Sequence, residues 1–330
     1  MKVKWGIIGC GVIVNKRSGE AIKSAENSEI VALMDKDINR VNDTASKLNV
    51  SKCYDNLDKF LDDKEIDAVY IATPGNTHCE LTIAAAKKGK HVLCEKPMAL
   101  NYAQCRKMID VCKENNVKLG VAYYRRCFPK SKKIKQLITE NKIGKIVFAH
   151  IVYSSTMKAY LENIDKWIAK AEFGGGLLLN EGCHLLDLLS YFMGEPTKVC
   201  GFSDRLTFDT GAADSVQILL QYNKTAHASI CFNTNIAYPK TYTETIFGTE
   251  GTISGPVLSP RSEITVETKN GIEAVKFESL SNHHLPIVQD FVDSIIDNRT
   301  PFVSGEEGAK TSKIMDAVLE SSKTGKVIHI

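Results

Sequence analysis

No apolar run in this 330-residue chain approaches the about eighteen residues that a membrane-spanning helix requires, so no such helix is expected. The opening stretch, MKVKWGIIGCG, reads as a strand and a turn and lacks a leader-cleavage site. Charge of either sign is scarce in net terms. A formal +3 gives no case for nucleic acid, and the densest basic run, Lys130 to Lys145, holds six lysines with no interleaved aromatic ring. That run reads as the exposed face of a helix. The ten cysteines form no C-x-x-C pair, and no H-x-H or H-E-x-x-H accompanies them, which excludes a recognisable zinc site or disulfide framework. No metal is expected, and the thiols read as reduced, mostly buried small hydrophobes in a cytoplasmic protein. Internal repeats and low-complexity segments are absent as well.

What remains is a composition of 43% hydrophobic and 25% charged residues, ordinary for a soluble globular chain. At this length one hydrophobic core is too little, and two domains are expected. The first is written in order as a βαβ alternation. An apolar strand over Lys2–Ile8 meets Gly9-Cys10-Gly11-Val12-Ile13-Val14, followed by a helical stretch to about Ala25. This is the G-x-G-x-x-G place with Val14 at the third glycine. Gly9 makes the tight turn and Gly11 allows backbone amides to approach a pyrophosphate, so dinucleotide binding survives that change. Strand Ile30–Met34 ends in Asp35, 24 residues beyond Gly11, the spacing of a ribose-binding carboxylate. Asp35 favours NAD, while Lys36 and Arg40 leave NADP as the alternative. Strand Asp67–Ala72 leads to the turn Thr73-Pro74-Gly75-Asn76, and Thr77 with Glu80 forms a capping-box pattern at the next helix. His78 in its first turn either lines a nicotinamide pocket or makes a structural polar contact. Strand His91–Cys94, a helix over Tyr102–Asn115 and strand Lys118–Ala122 complete a doubly wound domain of six strands.

The stretch around which the chain is organised is HVLCEKPMAL. Here Glu95, Lys96 and Pro97 follow a buried strand, and Lys96 stands where ligands bind beyond the carboxyl ends of a parallel sheet. After Ala122 the pattern changes to Tyr123-Tyr124-Arg125-Arg126-Cys127-Phe128-Pro129, the expected boundary. Tyr124 and Arg126 suit a polyhydroxylated or anionic ligand, with interdomain packing and a salt bridge as the other reading. Strand-like runs then recur at Lys145–Tyr153, Lys198–Phe202, Ser215–Tyr222, Thr225–Phe232, Tyr242–Phe247 and Glu263–Thr268, with a period-two alternation that predicts a largely antiparallel sheet. Between the first two runs lies Gly174-Gly175-Gly176 and a helix on which Asn180 and His184 sit four apart on one face, with Asp187 spaced to orient the His184 ring. A histidine here is a candidate for taking a hydroxyl proton, against the blander role of a satisfied core side chain. The region from His283 to Ile330 reads as scaffold: two amphipathic helices parted by Asn298-Arg299-Thr300-Pro301, a terminal strand, and a solvated His283–His284 pair.

Taken together, GCG, ATPGNTH, GKHVLCEKPMAL, YYRRCFP, GGGLLLNEGCHLLDLL, FGTEGTISGP and SSKTGKVI resemble the Gfo/Idh/MocA oxidoreductases along nearly the whole chain. The resemblance implies an α/β protein: an N-terminal Rossmann doubly wound parallel sheet over 1–122, then a C-terminal α/β domain with an open, largely antiparallel sheet over 123–330. It further implies NAD(P)-dependent transfer of a hydride to or from a carbinol or ketone carbon of a sugar, polyol or sugar derivative. Lys96 matches the catalytic lysine and His184 the proton-transferring histidine. Asn180, Arg126 and Tyr124 fall on the substrate side. Cofactor contacts fall to Gly9, Gly11, Val12, Ile13 and Asp35, and to Thr73, Pro74, His78, Glu95 and Lys96. Asn180 replaces the aspartate of many inositol dehydrogenase-like members, and an amide holds a hydroxyl but carries no proton. A redox-neutral NAD-dependent glycosidase and a non-catalytic NAD-binding regulator are the rival readings. A homodimer or homotetramer through the uncovered C-terminal sheet is expected.

Overall fold

The structure is a computed structural model describing residues 2–155, 170–207, 211–236, 241–256 and 263–330. The chain forms two units, Met1–Tyr124 with Asn282–Ala309, and Arg125–Ser281 with Lys310–Ile330. A C-terminal stretch, Asn282–Ala309, thus belongs with the first unit.

In the first unit, strands β1 (Val3–Ile8), β2 (Ser28–Met34), β3 (Lys52–Tyr54), β4 (Ala68–Ile71), β5 (His91–Cys94) and β6 (Leu119–Val121) form one parallel sheet in the order 3-2-1-4-5-6. This is the doubly wound dinucleotide-binding order, with its switch point between β1 and β4. β4 is buried along its whole length, as a strand covered on both faces must be. The connecting helices are α1 (Gly19–Ser24), α2 (Ile38–Leu48), α3 (Leu57–Leu61), α4 (His78–Lys87) and α5 (Tyr102–Glu114). α2 starts where the Asp37 carboxylate accepts from Asn39 N and stops where Asn49 turns left-handed at φ 60°. α1 is preceded by a wide π turn over Val14–Ser18, closed by Gly19 N donating to Val14 O. The sequence pattern did not distinguish this turn from ordinary helix.

In the second unit, α6 (Pro129–Thr139) and α7 (Cys183–Met193) accompany a nine-stranded sheet of β7 (Ile146–Ser154), β8 (Lys198–Asp204), β9 (Ser215–Tyr222), β10 (Ala226–Asn233), β11 (Thr241–Gly248), β12 (Gly251–Gly255), β13 (Ile264–Thr268), β14 (Gly271–Val275) and β15 (Ile328–His329). Its order is 14-13-12-11-7-10-9-8-15, and every neighbouring pair is antiparallel except β7 with β10. Ile151, Ile218, Ile230 and Ile246 line the buried face. On the other face the register aligns Cys200, Leu219, Ser229, His150 and Thr245 in one row. Leu219 and Phe202 are each 60% exposed there.

The returning stretch carries α8 (Leu285–Ile296) and the start of α9 (Gly305–Thr324). Phe291 of α8 packs on Trp5 of β1 with ring centroids 5.7 Å apart, and Val121 N donates to Val303 O at 2.9 Å at the sheet edge. Among the described residues no helix is long and apolar enough to cross a membrane.

Candidate functional site

The cofactor half is built at the carboxyl ends of β1, β2, β4 and β5. Gly9 lies at φ +99°, and a Cβ there would stand 2.8 Å from the Ala72 backbone, so both conformation and packing require glycine. Gly11 is different: a Cβ there would meet nothing within 4 Å. Beside it Val12 is 71% exposed, while Ile13 is half-buried. The helix start thus presents its amides to an open cradle, which is what a pyrophosphate requires. Asp35 braces this turn, its Oδ2 accepting from Cys10 N at 2.9 Å and its Oδ1 from Asp37 N at 3.1 Å. Each carboxylate oxygen keeps a further lone pair for a ribose hydroxyl. Arg40 is paired with Asp37 at 3.3 Å. The residues present fit a dinucleotide.

At the exit of β4, Thr73 and Pro74 are half-buried. The expected Thr77–Glu80 capping box does not form. Thr77 Oγ1 instead lies 2.7 Å from Thr73 Oγ1 and 2.8 Å from the Pro74 carbonyl, because Gly75–Thr77 makes a 3-10 turn before α4 begins. His78 is buried, with Nδ1 2.9 Å from Pro97 O and Nε2 2.9 Å from Thr73 O. Burial holds its pKa below the ordinary value. These two contacts fasten the Thr73–Pro74 turn to the loop after β5.

That loop carries Glu95 and Lys96. Lys96 is half-buried and the Lys96–Pro97 peptide is cis. Glu95 is buried, accepts from Tyr70 Oη, accepts from Lys96 N at 3.1 Å, and lies 3.3 Å from His284 Nε2. Burial pushes this carboxyl up, but the His284 hydrogen bond and charge, with Lys96 and Tyr70, outweigh it and bring it to about 2. His284 is fully buried, and Tyr124 stacks on its ring at 4.3 Å. The solvated histidine pair expected at this point is therefore wrong for His284. Sequence alone does not reveal it, since its partner lies 189 positions away.

In the second unit, Gly176 at φ +89° starts a π turn over Leu177–Gly182 that runs into α7. Asn180 belongs to this turn and His184 to α7, so the expected α-helical face shared by the two is altered by the wider turn. Both are buried on a helix that is apolar almost all round. Asp187 stands three residues beyond His184 on α7. Its carboxylate takes the Arg126 guanidinium, with Nε at 3.0 Å from both oxygens and Nη2 at 2.8 Å from Oδ1, and both side chains are buried. The salt-bridge reading of Arg126 thus holds in place of a guanidinium free to grip hydroxyls, because a buried charge must be matched. Arg125 meets Glu181 at 3.3 Å.

A further buried carboxyl, Glu244, lies outside the residues singled out from the sequence. Glu244 of β11 is 4% exposed, and burial raises its pKa from the ordinary 4.5 to about 7, moderated by Lys130. Lys130, itself buried, donates to Pro256 O. The signal was present, because Glu244 lies in phase with inward-facing Ile246.

Comparison with known proteins bears on both halves. Residues 3–123 match the model described as oxidoreductase family, NAD-binding Rossmann fold, and residues 131–254 match the GFO/IDH/MocA C-terminal domain. The chain is 32% identical over 324 residues to Oxidoreductase P35 of Formosa agariphila, covering 96% of this chain and 98% of that one. It is 26% identical to the 1,5-anhydro-D-fructose reductase of Ensifer adhaerens, covering 99% and 98%. Among solved structures, levoglucosan dehydrogenase in complex with NADH and levoglucosan superposes with a TM-score of 0.90 at 22% identity, covering 100% and 99%. The chain belongs to the GFO/IDH/MocA oxidoreductase family. It is an NAD(P)-dependent oxidoreductase with a Rossmann unit at its start.

Proposed function

We propose that this protein is a dehydrogenase or reductase acting on a carbinol or ketone carbon of a sugar, polyol or sugar derivative. The observation that carries the reading is Lys96, half-buried one residue beyond Glu95 at the carboxyl edge of a parallel sheet whose switch point holds an open glycine cradle. A carbohydrate substrate is supported by the anhydrofructose reductase and the levoglucosan dehydrogenase to which the chain is similar.

Gly9, Gly11, Val12 and Ile13 hold the pyrophosphate side of the cofactor, and Asp35 takes the ribose hydroxyls with a preference for NAD over NADP. Bound NAD(P) supplies the two-electron acceptor or donor. For oxidation His184 has the role of taking the hydroxyl proton, Lys96 that of donating a hydrogen bond to substrate, and the Asn180 amide that of holding a hydroxyl. Arg126 acts indirectly, by fixing α7 through Asp187. Tyr124 acts through its stacking on His284.

We assign the exposed row containing Leu219, with Phe202 beside it, to a homodimer or homotetramer contact, since a sheet face that exposes such large apolar side chains favours coverage by its own copy. The free thiols support a reducing cytoplasm as its location.

The deciding experiment follows absorbance at 340 nm with NAD and NADP separately, across inositols, free sugars, sugar phosphates and nucleotide sugars, beside Lys96→Met. Absorbance that changes with one substrate and vanishes in the variant is the expected result. Tight cofactor binding with no turnover on any of them would overturn it.

A further inference from the structure

Beside Lys96 lies a polar arrangement centred on Glu95. Glu95 is gripped from two directions in the first unit: Tyr70 donates from β4, and His284 Nε2 approaches to 3.3 Å from the chain stretch that returns after the second unit. The oxygen facing away from them, Oε2, accepts from the backbone N–H of Lys96 at 3.1 Å. His284 is in turn held. Its ring lies against Tyr124 at 4.3 Å, and its own N–H donates to Asn282 Oδ1 at 2.9 Å. Asn282 Nδ2 donates to Arg17 O at 2.8 Å, within the π turn of the helix that follows the glycine cradle. Three hydrogen bonds and the 3.3 Å approach of His284 Nε2 to Glu95 therefore join the cofactor helix to the backbone of Lys96.

From this we infer that His284 is a positioning residue for Lys96, acting through the Glu95 carboxylate. The inference rests on the role proposed for Lys96. The physical argument is one of rotational freedom. A glutamate held by one group only can swing about its side-chain torsions, and Lys96 N would follow no fixed acceptor. With Tyr70 and His284 both on Oε1, the plane of the carboxylate is defined and Oε2 presents one direction to the Lys96 amide. Displacement of a reacting group by about 1 Å costs on the order of 100-fold in rate, which makes such a clamp consequential.

The test uses the full chain with three substitutions. His284→Leu removes the donor; His284→Gln keeps an amide nitrogen near the place of Nε2; Tyr70→Phe removes the other donor and leaves the ring. Hydrogen–deuterium exchange of the peptide spanning 95–98 is read together with NADH affinity and with kcat and KM on the best substrate of the panel. In His284→Leu we expect kcat to fall about 10- to 100-fold, KM for NAD to stay within about threefold, and exchange of the Lys96 amide to quicken. His284→Gln restores both, and Tyr70→Phe shows the same effects in smaller measure. The inference is overturned if kcat and exchange are unchanged in His284→Leu, or if Gln is as impaired as Leu. Should the leucine variant not fold, wild-type kcat and exchange in Tyr70→Phe overturn it. Full activity in Lys96→Met removes Lys96 from the chemistry, whereas an inactive Lys96→Met beside a normal His284→Leu removes only the positioning role.

Discussion

Arg126 and Asp187 form a buried ion pair, 61 residues apart in sequence, in which one guanidinium nitrogen lies 3.0 Å from both carboxylate oxygens. The pair ties the segment before α6 to the middle of the helix that carries His184, and the Tyr191 ring lies 5.4 Å from the guanidinium carbon. Removing one partner leaves the other charge buried without its counter-ion. Arg126→Met and Asp187→Leu should each cost about 3–5 kcal/mol in urea denaturation, whereas the double variant should recover much of that loss. Additive losses would contradict the pairing.

The two glycines of the cofactor turn should separate stability from binding. Gly9→Ala meets both a left-handed φ and the Ala72 backbone, and should destabilise by about 1–3 kcal/mol. Gly11→Leu extends into open space. Its thermal midpoint should stay near wild type while NADH affinity, followed by fluorescence titration, falls more than about tenfold.

Glu244 should make the second unit less stable as pH rises. Its folded pKa of about 7 lies above the ordinary 4.5, so the folded state binds the extra proton between these values. Stability from this group is present below 4.5 and is lost as pH climbs through 7. Glu244→Gln, neutral throughout, should gain on the order of 2–3 kcal/mol over wild type at pH 8.5 and little at pH 4.5, measured by chemical denaturation.

Glu95 has the opposite sign. Its folded pKa of about 2 lies below the ordinary 4.5, so its contribution is present above 4.5 and is lost as pH falls toward 2. Acid titration of the first unit, followed by near-ultraviolet circular dichroism, should show this loss, on the order of 3 kcal/mol, and Glu95→Gln should flatten that limb.

Leu219→Asp on the exposed sheet face should lower the molar mass seen in sedimentation from a multiple of 36.5 kDa to the single chain, with the fold intact. An unchanged mass would move the contact elsewhere.

Features that depend on local spacing were legible in the sequence. The glycine turn after β1, Asp35 at the end of β2 and Lys96 after β5 are each fixed by a strand and the residues next to it, and the parallel sheet follows from their alternation. Features that depend on which distant side chain arrives as partner were not. The Arg126–Asp187 pair joins residues 61 positions apart, a separation that no local spacing announces. His284 looked solvated because its neighbours are His283 and Asn282, while its burial is set by Glu95 and Tyr124. The π turn around Asn180 escaped notice because a leucine-rich segment satisfies α and π periods about equally over six residues.

The discontinuous make-up of the first unit bears on how the chain is made. Trp5 of β1 waits for Phe291, and the edge of β6 waits for Val303. On the ribosome, residues 1–124 emerge well before these partners, because the 157 residues of 125–281 must be translated in between. At about 5–20 residues per second that interval is on the order of 8–30 s. The nucleotide-binding half is begun first but closed only after most of the second unit has been made, so through that interval its first strand lacks the Phe291 ring that packs on Trp5.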